Sequence, residues 1–149
     1  MMHANDAYMS ALETEKGGGN PQEVVALLEI AADQKYADAQ YALGTFYLHG
    51  KYVERNFQKA LDCLRDASDQ MHPGALFDLG VALEKGDIVK ANYKEAFKCY
   101  MLSMLFGERL AVAEVARCFY YGIGVRKDES LGGTLNNAIS RLAVEEPLK

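Results

Sequence analysis

A strict 36-residue period constrains this chain more than any other feature. Ala39, Ala75 and Ala111 are spaced by that step, as are Leu43, Leu79 and Val115; Gly44, Gly80 and Ala116; Gly50, Gly86 and Gly122; and Val53, Val89 and Val125. Asn56 with Asn92, Ala60 with Ala96 and Cys63 with Cys99 add columns present in two copies. A period of this length marks a stack of supersecondary units, because one such unit cannot cover its own apolar face and needs its neighbours to do so. One further step back lands on Asn20, Val24 and Leu27. The 149 residues therefore divide into four units, about 1–36 (degenerate), 37–72, 73–108 and 109–144, and read as a single repeat domain over 1–149.

Within a unit the apolar spacing predicts two helices. Phe57, Ala60, Leu61, Leu64 and Ala67 recur at steps of three and four, while Gln58, Lys59, Asp62, Arg65 and Asp66 fill the opposite face. That is the pattern of an amphipathic helix. Asn56 and Asn92 stand where an N-cap belongs, and Asn20 followed by Pro21 joins a cap to the proline tolerated at a first helical position. Gly50, Gly86 and Gly122 mark where the preceding helix closes. The fold class expected is all-α, an α-solenoid of four helix-turn-helix units. Ala39, Gly44, Ala60 and their copies let helix axes approach closely, and Leu43, Tyr47, Leu83 and Phe119 fill the seams.

Both terminal units depart from the pattern. Tyr8 occupies the column of Gly44, Gly80 and Ala116, which predicts a first helix that is displaced or loosely packed. In the last unit Leu131, Gly132, Gly133 and Thr134 replace a Lys-Ala pair and its aromatics. Atypical ends of this kind read as caps, which a short stack needs for solubility.

The stretch ADAQYALGTFYLHG from Ala37 to Gly50 and the stretch GIGVRKD from Gly122 to Asp128 resemble the two halves of the Sel-one-like repeat, a relative of the tetratricopeptide repeat. The matching residues are Ala39, Leu43, Gly44, Tyr47 and Gly50, then Gly122, Gly124, Val125 and Asp128, with Lys59 and Ala60. The resemblance runs over about residues 20–144. It implies a scaffold or adaptor without catalysis or cofactor. It also implies that first helices line a concave face, with contacts supplied by positions outside the seams. Those positions are Tyr41, Thr45, Leu48 and His49; Phe77, Val81, Glu84 and Lys85; and Ala113, Arg117, Tyr120 and Tyr121. Aromatic and arginine side chains of this kind are enriched at binding hot spots. A second apolar patch is expected at Leu102 and Phe106, because Leu102 falls in the column that holds Asp66.

Chemistry-bearing motifs are scarce. His3, His49 and His72 have neither the spacing of a helical zinc motif nor a Cys-x-x-Cys to join, so no metal site is expected. Lys16 to Asn20 precedes a helix but lacks the Gly-Lys-Ser/Thr ending of a phosphate loop, and no acid-base carboxylate pair can be placed. No catalytic residue and no cofactor is predicted. Cys63, Cys99 and Cys118, an odd number in repeat columns, are expected to be reduced core thiols.

The formal charge of -5, with no basic block, argues against nucleic acid. Neither a signal peptide nor an apolar run long enough to span a membrane is evident, which points to the cytoplasm. The function expected is therefore to bind another protein or a peptide on the concave face as an adaptor or scaffold. The alternatives are an immunity protein that neutralises one bacterial toxin and, more distantly, a small hydrolase-like enzyme.

Overall fold

The structure, a computed structural model, describes residues 1–145, with side chains through Ala143; the last four residues of the expected domain lie outside the described residues. Among the described residues the elements are eight α-helices and no strand: α1 (Ala4–Lys16), α2 (Pro21–Asp33), α3 (Ala37–His49), α4 (Phe57–Asp69), α5 (Pro73–Lys85), α6 (Tyr93–Leu105), α7 (Arg109–Tyr121) and α8 (Glu129–Glu145). Each 36-residue unit is thus one helix pair. The pairs gather into two compact units, Met1–Ala75 and the chain from Leu76 onward.

The period reappears in the backbone hydrogen bonds. Asn56 N–H donates to the Tyr47 carbonyl at 2.9 Å, Asn92 to Leu83 at 2.9 Å and Asp128 to Phe119 at 2.7 Å, each tying the loop back to the first helix of its pair. The side chains of Asn56, Asn92 and Asp128 then accept from Lys59, Glu95 and Leu131 N–H at 3.0, 3.0 and 2.9 Å. One column therefore fixes both the loop and the start of the second helix, where free N–H groups need acceptors. Asn20 departs by one position, accepting from Gln22 N–H at 3.0 Å with Pro21 at the first turn. Gly50, Gly86 and Gly122 all take left-handed φ, 71°, 68° and 73°, which an absent β-carbon makes inexpensive.

In the first compact unit α1 packs on α2, α2 on α3 and α3 on α4. Its core is a continuous cluster including Ala7, Ala11, Val24, Leu28, Leu43 and Phe46, all buried, and a second cluster joins Leu64, Ala67 and Ala75. Complete burial of Leu28 or Leu64 contributes roughly 2 kcal/mol each. The expectation of a loose first helix is corrected here: Ala7 and Ala11 are fully buried, and they supply the close approach that Tyr8 denies. Tyr8 instead rests its ring on Tyr36, centroid to centroid 5.1 Å, and Tyr36 Oη donates to Asn5. Phe57, placed on the apolar stripe of α4 by its spacing, is exposed; it opens the helix beside Arg55, whose guanidinium sits 5.3 Å from its ring centroid.

In the second compact unit α6 packs on α7 and α7 on α8. Leu83, Ala96, Tyr100, Val115 and Cys118 are among its most buried side chains, and Phe97 meets Phe119 edge-on at 5.3 Å. Gly80 lies against Tyr100 and Cys99, so α5 and α6 cross where the sequence places a small residue.

Candidate functional site

First helices divide into seam columns and open columns. Ala39, Leu43 and Gly44 of α3 are buried, as are Ala75, Leu79 and Gly80 of α5 and Ala111, Val115 and Ala116 of α7. By contrast Thr45, Leu48, Val81, Glu84 and Arg117 are half-buried, and His49, Lys85, Tyr120 and Tyr121 are exposed. The open columns also differ in chemistry from copy to copy: Thr45, Val81 and Arg117 share one, Leu48, Glu84 and Tyr120 the next, and His49, Lys85 and Tyr121 the third.

In the first compact unit Tyr41 is turned inward rather than presented. Its ring stacks on His72 with centroids 4.5 Å apart, and a β-carbon on Gly74 would lie 2.9 Å from that ring. His72 Nδ1 accepts from the Ala75 N–H at 3.1 Å, so the ring proton sits on Nε2, which faces Asp38 Oδ1 at 3.0 Å. His72 therefore caps the start of α5, a role that sequence reasoning missed. Its column holds Tyr36 and Glu108, and Glu108 caps α7 by accepting from Leu110 N–H at 3.1 Å, which is the signal that could have revealed it. Thr45 Oγ1 donates to the Ala42 carbonyl at 2.8 Å and is satisfied within its own helix.

The second compact unit brings Val81, Glu84, Lys85 and Arg117 together around a cleft of about 450 Å³, completed by Tyr100 and Glu114. Glu84 accepts two hydrogen bonds from Arg117 Nη2, at 2.8 and 2.6 Å, and one from Tyr100 Oη at 2.9 Å. Arg117 Nε donates to Glu114 at 2.9 Å. Burial by itself would raise the Glu84 carboxyl, but the bonds from Arg117 and Tyr100 outweigh it and hold the group below the usual carboxylate range. Burial and the Glu84 carboxylate together push the Tyr100 hydroxyl up, and Glu84 holds the Arg117 charge firmly in place. Tyr100, Arg117, Glu84 and Glu114 thus form one hydrogen-bonded network across α5, α6 and α7. Phe77 lies beside Tyr100, centroids 5.9 Å apart.

Arg117 also walls a second cleft, of about 420 Å³, with Tyr120, Tyr121, Gly132, Gly133 and Asn136. At the far end of α7 the expected Leu102–Phe106 patch is redrawn. Leu102 is half-buried, Phe106 is the capping residue after α6, and the exposed apolar set there is Leu105, Phe106 and Leu110. Cys99 and Cys118 are buried and Cys63 is partly so; burial pushes the Cys63 and Cys118 thiols up to about 11, which keeps them protonated at neutral pH. Among the described residues no group of three His, Cys, Asp or Glu side chains converges as a metal site, and no helix is long and apolar enough to cross a membrane.

The Sel1 repeat model matches residues 37–71, 73–102 and 109–132, more than half of the chain. The crystal structure of a Sel1 repeat protein from Oxalobacter formigenes superposes with a TM-score of 0.86 at 26% identity, over 94% of this chain and 59% of that one. A protective antigen present in uropathogenic Escherichia coli strains, displaying an SLR fold, gives the same score at 22% identity, over 93% of this chain and 30% of that one. This chain thus spans about three fifths of the first structure and under a third of the second. No curated protein matches it. Sel1 repeats commonly serve as protein-interaction modules. The repeat register, the helix pairs and the matched segments agree, and the chain belongs to the Sel1 repeat family of all-α solenoid proteins.

Proposed function

We propose that this chain is a non-enzymatic adaptor that holds a partner protein or peptide on the open columns of its first helices. One observation carries the reading: the seam columns are buried and chemically uniform, while the adjoining open columns are accessible and change from Thr45, Leu48 and His49 to Val81, Glu84 and Lys85 and then to Arg117, Tyr120 and Tyr121. Apart from the Glu84–Arg117 bond between α5 and α7, the seams leave these columns free to vary, and their variety suits recognition of an irregular partner surface. Tyr41 and Phe77 take the lesser part, since both rings are engaged within their own compact unit. Nothing in the structure or in the related proteins favours the toxin-neutralising or hydrolase alternatives.

The test is affinity capture from the source cell with immobilised chain, comparing the parent with a His49→Glu, Lys85→Glu double variant. Both side chains are exposed, so the thermal midpoint should stay where it is. Loss of the captured partner at unchanged stability is the expected result. Retention of every partner by the folded variant would overturn the assignment of this surface.

A further inference from the structure

Inside the first compact unit α3 packs on both α2 and α4, and a groove of about 310 Å³ is lined by all three helices. It holds a polar group that stacking does not require. Gln40 lines this groove and is 3% exposed. Its column is Gln40, Leu76 and Val112, so the other copies put an apolar side chain in the same place. Gln70 Nε2 donates to Gln40 Oε1 at 2.6 Å, and among the described residues nothing bonds the Gln40 Nε2 end. A buried amide end without a partner is costly, and its retention in an otherwise apolar column points to a group that meets it from outside the chain. An extended main chain carries both a carbonyl and an N–H, and so can serve that end in either orientation of the amide.

The walls of the groove are acidic. Glu29 and Asp33 stand on α2, Asp62 and Asp66 on α4, and among the described residues none of the four is paired with a lysine or arginine. Asp62 Oδ1 accepts from Gln58 Nε2 at 2.9 Å. Against these four carboxylates the lining has two ammonium groups, on Lys35 and Lys59, and Lys59 Nζ is turned onto the Tyr47 ring, 5.2 Å from its centroid. The groove is therefore net negative, which favours a cationic occupant. Each wall spaces its two carboxylates by four residues, about 6 Å along the helix axis. Side chains on one face of an extended segment recur at about 6.6–6.8 Å, so alternate cations match that spacing. One 36-residue step turns Asp62 and Asp66 into Lys98 and Leu102, so this chemistry is not a demand of the repeat.

We infer that the groove over α3 binds an extended basic segment of a partner protein, its main chain bonded to the Gln40 amide and its lysine or arginine side chains, at alternate positions, paired with the carboxylates of the two walls. This surface is separate from the open columns of the first helices. Pure protein and a synthetic probe test it, so it stands or fails apart from the capture experiment.

The probe is a fluorescently labelled peptide of alternating lysine and serine, titrated with the 149-residue chain and followed by anisotropy at low salt. Saturable binding that weakens as salt is added is the expected result. Asp62→Asn with Asp66→Asn, at two exposed positions, should raise the dissociation constant by about fivefold or more. Gln40→Leu, which installs the residue of the second copy, should raise it by about fivefold with the fold intact. Glu13→Gln with Glu23→Gln removes the same charge from exposed positions outside the groove and should leave the affinity within about twofold. Absence of saturable binding, groove variants no weaker than the charge-matched control, or equal affinity for a peptide of the same composition with its lysines clustered would overturn the inference.

Discussion

The crossings of the inner and terminal helix pairs solve one steric problem in opposite ways. In α3–α4 and α5–α6 the glycine is on the first helix, at Gly44 and Gly80, and the second helix carries Ala60 and Ala96 in the facing column. In α7–α8 the first helix carries Ala116 and the glycine has moved to the second, at Gly132. In these three crossings one of the two columns carries a glycine and the other an alanine, and the glycine is not tied to one helix. The obstacles differ too. A β-carbon on Gly44 would lie 3.2 Å from the Leu64 side chain, one on Gly80 would lie 2.8 Å from the Tyr100 ring, and one on Gly132 would lie 2.7 Å from the Ala116 carbonyl and the Tyr120 backbone nitrogen. Side chains can yield; a neighbouring helix backbone moves only as a whole.

That difference predicts an order of damage in urea unfolding. Gly132→Leu should cost about 3 kcal/mol, Gly80→Leu about 2 and Gly44→Leu about 1, since Leu64 can change rotamer while Tyr100 is also held by Glu84. Equal costs at the three sites would break the comparison. Recovery of part of the Gly132→Ala loss by adding Ala116→Gly would sharpen it, by showing that the two columns share one seam.

Much of this was legible in the sequence because steric demands repeat. The caps at Asn56 and Asn92, the closing glycines at Gly50, Gly86 and Gly122, and the small columns each stand at the predicted place. What escaped was whatever the chain does differently in each copy. His72 caps α5 through a ring nitrogen, and only one of its column partners, Glu108, caps its own helix by side chain, so the column reads less plainly than that of Asn56 and Asn92. The Glu84–Arg117 bond joins residues 33 apart in the sequence, so no single-helix pattern could pair them. The open columns were identifiable as surface, but Tyr41 and Phe77 were not separable from Tyr120 and Tyr121, because inward and outward aromatics look alike until their neighbours are placed.

The open columns of α3 and α7 contrast in the same way. Arg117 bonds across to α5, whereas Thr45, its counterpart in α3, bonds only to Ala42. Arg117→Met should therefore cost about 1 kcal/mol at neutral pH, for two partly exposed partners. Thr45→Val should cost less than about 0.5 kcal/mol. The Arg117 effect should also depend on pH. The Glu84 carboxyl titrates below its unfolded value, so its contribution is present above about pH 4.3 and disappears as pH falls from there through the lowered folded value. The gap in urea midpoint between parent and Arg117→Met should be widest near neutrality and close on acidification. A gap that persists once Glu84 is protonated would assign the effect to the packing of the arginine stem instead.

An effect smaller than that of Arg117→Met tests the turn from each second helix into the next first helix. Lys35, Met71 and Gly107 share a column, and all three take left-handed backbone, with φ of 64°, 60° and 103°. Only the third copy has the residue that adopts this region without steric cost; a β-carbon there costs roughly 1 kcal/mol or more. Replacing Lys35 with glycine relieves that cost but enlarges the freedom of the unfolded chain, which returns roughly 0.4–1 kcal/mol of the gain. Lys35→Gly should therefore stabilise by about 0.5 kcal/mol, and Gly107→Ala should destabilise by about the same amount or slightly more. A stabilising Gly107→Ala would mean that the third turn does not share the geometry of the first two. Opposite signs at the two ends of one column would instead show that the first two turns keep their side chains against a conformational penalty which the third has shed.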